Sequence, residues 1–241
     1  TGTTLSVPLL LKVLAEKGIS REKVTHVMPT HVHLDHAGGA GALMQEFPNA
    51  VLVVHPRGAR HMIDPTKLIS GTVAVYGEEK TQKLYGTIVP VPEERVLIAE
   101  DESRIDFHGR SLLFLDAPGH ARHHYCVIDE STNSVFSGDN FGISYREFDN
   151  ENGAFIFPTT TPVQFDPEAM RKTLDRLLSY NPQAVYLTHF GRVTNVEKLG
   201  IDLRNCLDQL VEMALELKQK GKAQQENLTF GVQQILRERL R

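Results

Sequence analysis

Between Thr30 and Gly39 the chain reads Thr-His-Val-His-Leu-Asp-His-Ala-Gly-Gly, so three histidines and an aspartate fall within six residues. Neutral imidazole is the commonest metal ligand among side chains, and carboxylate oxygen suits the same divalent ions. On extended backbone, residues i and i+2 point the same way. His31 and His33 can therefore grip one ion, and Asp35 continues the alternation. His36 faces elsewhere as the chain turns into a helix beginning at Gly38. One short segment can feed two adjacent ions. Three further candidates stand just past strand-like runs, where ligand sites gather in sheet proteins with helices on their faces. His120 follows Ala117-Pro118-Gly119, Asp139 follows Ser137-Gly138, and His189 follows Thr188.

The elements that must position these groups are legible in outline. Ser6 to Lys17 carries apolar residues at Val7, Leu10, Leu11 and Leu14, a helical face with Ser6 as N-cap, Pro8 in the first turn and Gly18 as stop. Val24–Met28 and Ala50–Val54 read as strands, and Gly38–Phe47 as a small-residue helix. Asp64–Tyr85 is helical, interrupted at Gly71 and Gly77, and is placed to cap a pocket or simply to pack. The runs Val96–Ala99, Ser103–Phe107, Ser111–Leu115, Tyr125–Ile128 and Ser134–Phe136 predict a meander of antiparallel strands. Asp166 and Pro167 open a helix to about Tyr180. Ala184–Leu187 is a strand, Asn195–Lys220 an amphipathic helix, and Thr229–Leu240 a last helix. The mixture makes the class α/β or α+β.

Composition narrows the function. The chain has 241 residues, 41% hydrophobic and 23% charged, enough for a large core. Twenty-six basic against 30 acidic residues leave a formal net charge of −4, and no basic stripe argues for nucleic acid. No apolar run approaches the ~20 residues of a membrane span. Cys126 and Cys206 are too few for a disulfide framework and read as reduced thiols outside the ligand set. The expected setting is cytoplasmic, with a small-molecule substrate, no nucleic-acid or membrane partner, and a homodimer allowed.

In order along the chain, Thr-His-x-His-x-Asp-His at 30–36, Pro-Gly-His at 118–120, Ser-Gly-Asp at 137–139 and Thr-His at 188–189 resemble the landmarks of the metallo-β-lactamase superfamily, over nearly the whole length. The resemblance implies an αββα sandwich: two mixed sheets with helices on both outer faces, in one domain spanning 1–241, with 195–241 as C-terminal helices packed on it. The opening Thr1-Gly2 is similar to the inside of the family's Asp-Thr-Gly, as if the first strands were missing. The resemblance further implies two divalent ions, zinc foremost, with iron or manganese as alternatives. His31, His33 and His120 would hold the first ion, Asp35, His36 and His189 the second, and Asp139 would bridge. Pro118 to His124 is similar to the Pro-Gly-His-Thr-x-Gly-His of glyoxalase II-like and lactonase-like hydrolases, with His124 as a supporting residue and a departure at 121–123. Ser137 to Gly142 also looks like the corresponding run in flavodiiron proteins, which carry Glu where this chain has His33.

The implied chemistry is hydrolysis of a small ester, thioester or lactone, with a hydroxide bridging the two ions attacking the carbonyl and Asp35 and Asp139 orienting it. The alternative is iron redox chemistry, either di-iron oxygen reduction or a persulfide dioxygenase-like activity. Protonation of the leaving group requires a donor. Tyr145 is placed to supply it, or else is an ordinary packed tyrosine. Arg146 stands beside it, and Arg192 is either a contact for an anionic substrate group or a solvated surface residue.

Overall fold

The computed structural model describes residues 1–151, 153–160, 162–222 and 224–240, and the chain divides into two compact units. The first comprises residues 1–104 with 114–116 and 123–125, and the second residues 105–113, 117–122 and 126–241.

The first unit contains a three-stranded sheet of β1 (His26–Val27), β2 (Val51–Val54) and β3 (Val96–Ile98), in that order, parallel at both pairings. Parallel strands flanked by helices are covered on both faces, which is why β2 reads as the unbroken apolar run Val-Leu-Val-Val. Around it stand α1 (Val7–Glu16), α2 (Leu34–Ala37), α3 (Ala40–Glu46), α4 (Pro56–Ile63), α5 (Thr66–Tyr76) and α6 (Glu78–Tyr85). The core joins Val27, Leu52 and Val54 of the sheet to Leu43 and Met44 of α3 and Met62 of α4. Val32, between the two histidines at 31 and 33, belongs to it and is fully buried.

The second unit is built on a six-stranded sheet in sequence order: β4 (Arg104–Phe107), β5 (Arg110–Asp116), β6 (Tyr125–Asp129), β7 (Ser134–Gly138), β8 (Ala184–Leu187) and β9 (Gly191–Val193). β6 and β7 are antiparallel, β7 and β8 parallel, and β8 and β9 antiparallel. Three helices accompany it: α7 (Pro167–Ser179), α8 (Val196–Gln219) and α9 (Gln225–Arg239). Asp166 caps α7 by accepting from the Glu168 and Ala169 amides at 3.1 and 3.0 Å. α8 meets α9 through Cys206, Leu210 and Ile235.

Several elements depart from the pattern read in the sequence. Val96–Ile98 leaves the meander and pairs in parallel with β2. Gly71 lies inside α5, and only Gly77, at φ +80°, divides the segment into α5 and α6. A lone glycine weakens a helix without breaking it, whereas a positive φ ends one. Asp35 is not on extended chain: the alternation ends at His33, which precedes α2, and Asp35 and His36 lie within that short helix. Ser6 makes no side-chain cap and belongs to a 3₁₀ turn, Thr4–Ser6, that leads into α1.

Candidate metal centre

In the first unit the His-x-His segment follows β1 on irregular chain. His31 is fully buried, and its Nε2 lies 2.9 Å from Nδ1 of His33. The two rings meet edge-on at 4.5 Å, and the His36 ring lies 4.0 Å from that of His31. His36 Nε2 stands 3.2 Å from Asp35 Oδ2. Partial desolvation is the largest influence on the Asp35 carboxyl and acts upward. The hydrogen bond and charge of His36, with smaller help from its own backbone and His33, outweigh it and hold the group near 2. Asp35 is thus an anion at any ordinary pH. His124, fully buried, stacks on His31 at 4.8 Å. His123 is buried as well. Desolvation pushes its imidazole down to about 3, with His33, His61 and His55 adding repulsion, so the ring is neutral.

In the second unit, Asp139 and His189 are neighbours because β7 and β8 run parallel with Gly138 opposite Leu187. Both strands end at the same edge, and the residues that follow them emerge side by side. A register shift between Phe136 and Gly138 marks the end of β7, where such irregularities re-aim a chain. His189 Nε2 is 3.8 Å from Asp139 Oδ1, while His120 Nε2 is 3.4 Å from Oδ2. Each carboxylate oxygen therefore faces a different imidazole, the disposition of a carboxylate that bridges two cations.

His120 is held by a set of polar contacts. Its amide donates to Asn140 Oδ1 at 3.1 Å, and Asn140 Nδ2 donates to the Ala117 carbonyl at 2.5 Å. The Asp166 amide donates to the Gly119 carbonyl at 2.8 Å and the Thr173 hydroxyl to the Pro118 carbonyl at 2.6 Å, which fastens the turn to the start of α7. Thr159 fixes the tautomer. Its hydroxyl proton goes to the Asp139 carbonyl at 2.8 Å, so its oxygen accepts from His120 Nδ1 at 3.0 Å. The Thr159 carbonyl, 3.3 Å from the same nitrogen, can only accept. Nδ1 therefore carries the proton, and a neutral ring presents the Nε2 lone pair to Asp139. Two acceptors 3.4 Å apart repel unless a second ring proton or a metal cation lies between them. The donor set fits a divalent ion on this ground.

The remaining candidates lie in the second unit. Tyr145 is half-buried among aromatics, its ring 4.6 Å from Phe190, which directly follows His189, and 5.7 Å from Phe148. Arg146 pairs with Asp149 at 3.2 Å and donates to the carbonyls of Phe190 and Arg192 at 3.2 and 2.9 Å, tying its turn to the loop after β8. Arg192 is exposed on β9. Cys126 and Cys206 are free and buried, and desolvation pushes the Cys206 thiol up to about 11.

Thr159, Asn140, Thr173 and His123 were not singled out in the sequence as positioning groups. Asn140 had a signal in its place directly after Asp139. Thr159 and Thr173 had none, because a lone threonine in a loop or helix carries no pattern.

Residues 1–189 match the sequence profile of the metallo-β-lactamase superfamily, and the chain belongs to that superfamily. Its fold is the fold of that family, α/β with two sheets and helices. A metallo-β-lactamase fold-containing protein of Sulfurisphaera tokodaii is 27% identical over 201 residues, covering 76% of this chain and 70% of the relative. The hydroxyacylglutathione hydrolase of Aeromonas salmonicida is 24% identical, covering 81% and 60%. An atrochrysone carboxyl ACP thioesterase of Pseudocercospora fijiensis is 28% identical, covering 56% of this chain but 29% of its own length. Among solved structures, an archaeal superfamily protein from Sulfolobus tokodaii aligns with a TM-score of 0.64 at 26% identity, covering 79% and 69% of the two chains. A family protein from Thermus thermophilus aligns at 0.65 with 22% identity, covering 90% and 71%, a likeness of fold. Hydrolases are prominent among the named relatives, which supports a metal-dependent enzyme at the coarse level. No helix among the described residues is long and apolar enough to cross a membrane.

Proposed function

We propose that the protein is a binuclear metallohydrolase acting on the carbonyl of a small ester, thioester or lactone. In this reading His31, His33, Asp35, His36, His120, Asp139 and His189 are the ligands of two divalent ions. The observation that carries this reading is Asp139, 4% exposed, with a different imidazole at each oxygen. When bound, the ions would supply a nucleophilic water at neutral pH and polarise the substrate carbonyl. Asp139 and Asp35 would hold that water's protons and aim it. No protein nucleophile is needed, and both cysteines are buried thiols. Tyr145 would donate its hydroxyl proton to the leaving group from the loop beside His189, a role suited to a neutral phenol. Arg192 would meet an anionic group of the substrate. The thioesterase and hydroxyacylglutathione hydrolase among the relatives support the acyl class, and the chain spans 29% and 60% of those two proteins. The ions are zinc in this reading.

The test is metal analysis of protein purified without added metal, followed by turnover against lactones, thioesters and phosphoesters. Zinc with acyl turnover supports the proposal. Iron with oxygen- or thiol-dependent turnover would replace it with redox chemistry, and metal without any turnover would leave a binding module.

A further inference from the structure

We propose that His123 is a positioning residue: its Nδ1 accepts the hydrogen bond of the Val32 amide and so fixes the backbone between His31 and His33 in the shape that binds metal. This rests on the reading of those two histidines as ligands.

The Val32 amide lies 3.4 Å from His123 Nδ1, and both residues are buried. The segments 30–32 and 123–125 run side by side. The Tyr125 amide donates to the Thr30 carbonyl at 3.0 Å, and two residues further on the Val32 amide is met by a side chain in place of backbone. A buried amide on irregular chain must find an acceptor, and an imidazole supplies one only through an unprotonated nitrogen. That assigns the tautomer: Nδ1 bare and Nε2 protonated. The ring also walls the two ligands, nearly parallel to His31 at 6.1 Å and perpendicular to His33 at 5.1 Å. Space for this is made by Gly58 of α4. A Cβ there would stand 2.8 Å from Val32 Cγ1 and 3.9 Å from His123 Cβ. The His-x-His segment is thus clamped at its middle residue, from one side by packing and from the other by a hydrogen bond.

The experiment compares the full-length protein with His123→Asn and His123→Leu. Asparagine Oδ1 occupies the place of Nδ1 and accepts the same bond, while leucine fills the space without an acceptor. Zinc affinity is read by competition with a chromophoric chelator, and the cobalt(II) absorption spectrum reports ligand geometry. Partners of metal ligands typically alter affinity ten- to a hundred-fold. The expected result is a loss of about that size for leucine with an altered cobalt spectrum, and recovery to within a few-fold of wild type for asparagine. Leucine binding as tightly as wild type, or asparagine binding as weakly as leucine, would overturn the proposal. Long-range proton–nitrogen correlation in wild-type protein reads the tautomer directly and decides the matter even if the leucine variant does not fold. A protonated Nδ1 overturns the proposal. If wild-type protein bound no zinc, the proposed function would fall, while the tautomer would still decide the hydrogen bond.

Discussion

Gly119→Ala tests how tightly the turn bearing His120 is built. Gly119 has φ +139°, a region that side chains with a Cβ seldom enter. A Cβ there would stand 2.5 Å from Met170 Cα, 2.7 Å from its Cβ and 2.8 Å from its amide nitrogen. The Cα and the nitrogen are backbone atoms of α7, and ordinary contact lies beyond 3.4 Å. The helix would have to retreat by about 1 Å, like other overpacking in a dense core. It cannot do so freely, since Met170, Leu174 and Leu177 are buried and the Asp166 and Thr173 bonds fasten it to the turn. Overpacking costs about 1–3 kcal/mol and the strained backbone about 1–3 more, so the sum is about 2–6 kcal/mol. That is a large part of the 5–15 kcal/mol typical of a folded protein. Gly18→Ala is the control. Its φ is +68° but nothing lies within 4 Å of the added Cβ, so only the backbone cost of about 1–2 kcal/mol applies. Urea unfolding of the metal-free proteins measures both. A Gly119→Ala loss no larger than that of Gly18→Ala would refute the clamp between turn and helix.

Thr159→Val removes the hydroxyl shared by Asp139 and His120. Zinc affinity should fall about ten- to a hundred-fold by chelator competition, and unchanged affinity would contradict the tautomer assigned to His120. Tyr145→Phe should lower turnover about ten- to a thousand-fold with metal content unchanged, and a wild-type rate would remove it from the chemistry. Asp129 is buried. Desolvation acts upward on its carboxyl, but Ser131, Arg110 and Thr132 outweigh it and hold the group well below its usual range. A depressed pKa adds stability above the unfolded value of about 4 and loses it as pH falls below. Unfolding from pH 6 to 3 should therefore show a steeper acid loss in wild type than in Asp129→Asn, and parallel curves would refute the linkage.

The chemistry was more legible than the architecture. His31, His33, Asp35 and His36 announce themselves by density, and His120, Asp139 and His189 by standing after strand-like runs. Asp166 with Pro167 marked the start of α7 because capping is local chemistry, and the side chain makes the bonds that its position implied. Sheet partnership is not local. Val96–Ile98 looks like its successors in sequence, yet it pairs with β2, about 45 residues earlier, a partnership that no local pattern encodes. The helix α4 is not legible in the sequence because its apolar positions are few and Gly58 weakens the pattern, although His55 caps it by accepting from the Arg57 amide at 3.0 Å. His123 and Thr159 act through single bonds between distant segments, and no spacing in the sequence encodes such bonds.

The most direct test of the central claim is the metal-to-protein ratio of fully loaded wild-type protein, read by mass spectrometry of the elements after removal of loose metal. Seven ligands are more than one ion can use, so the account predicts two ions per chain. A ratio of one, unchanged when His189 is replaced by alanine, would contradict it.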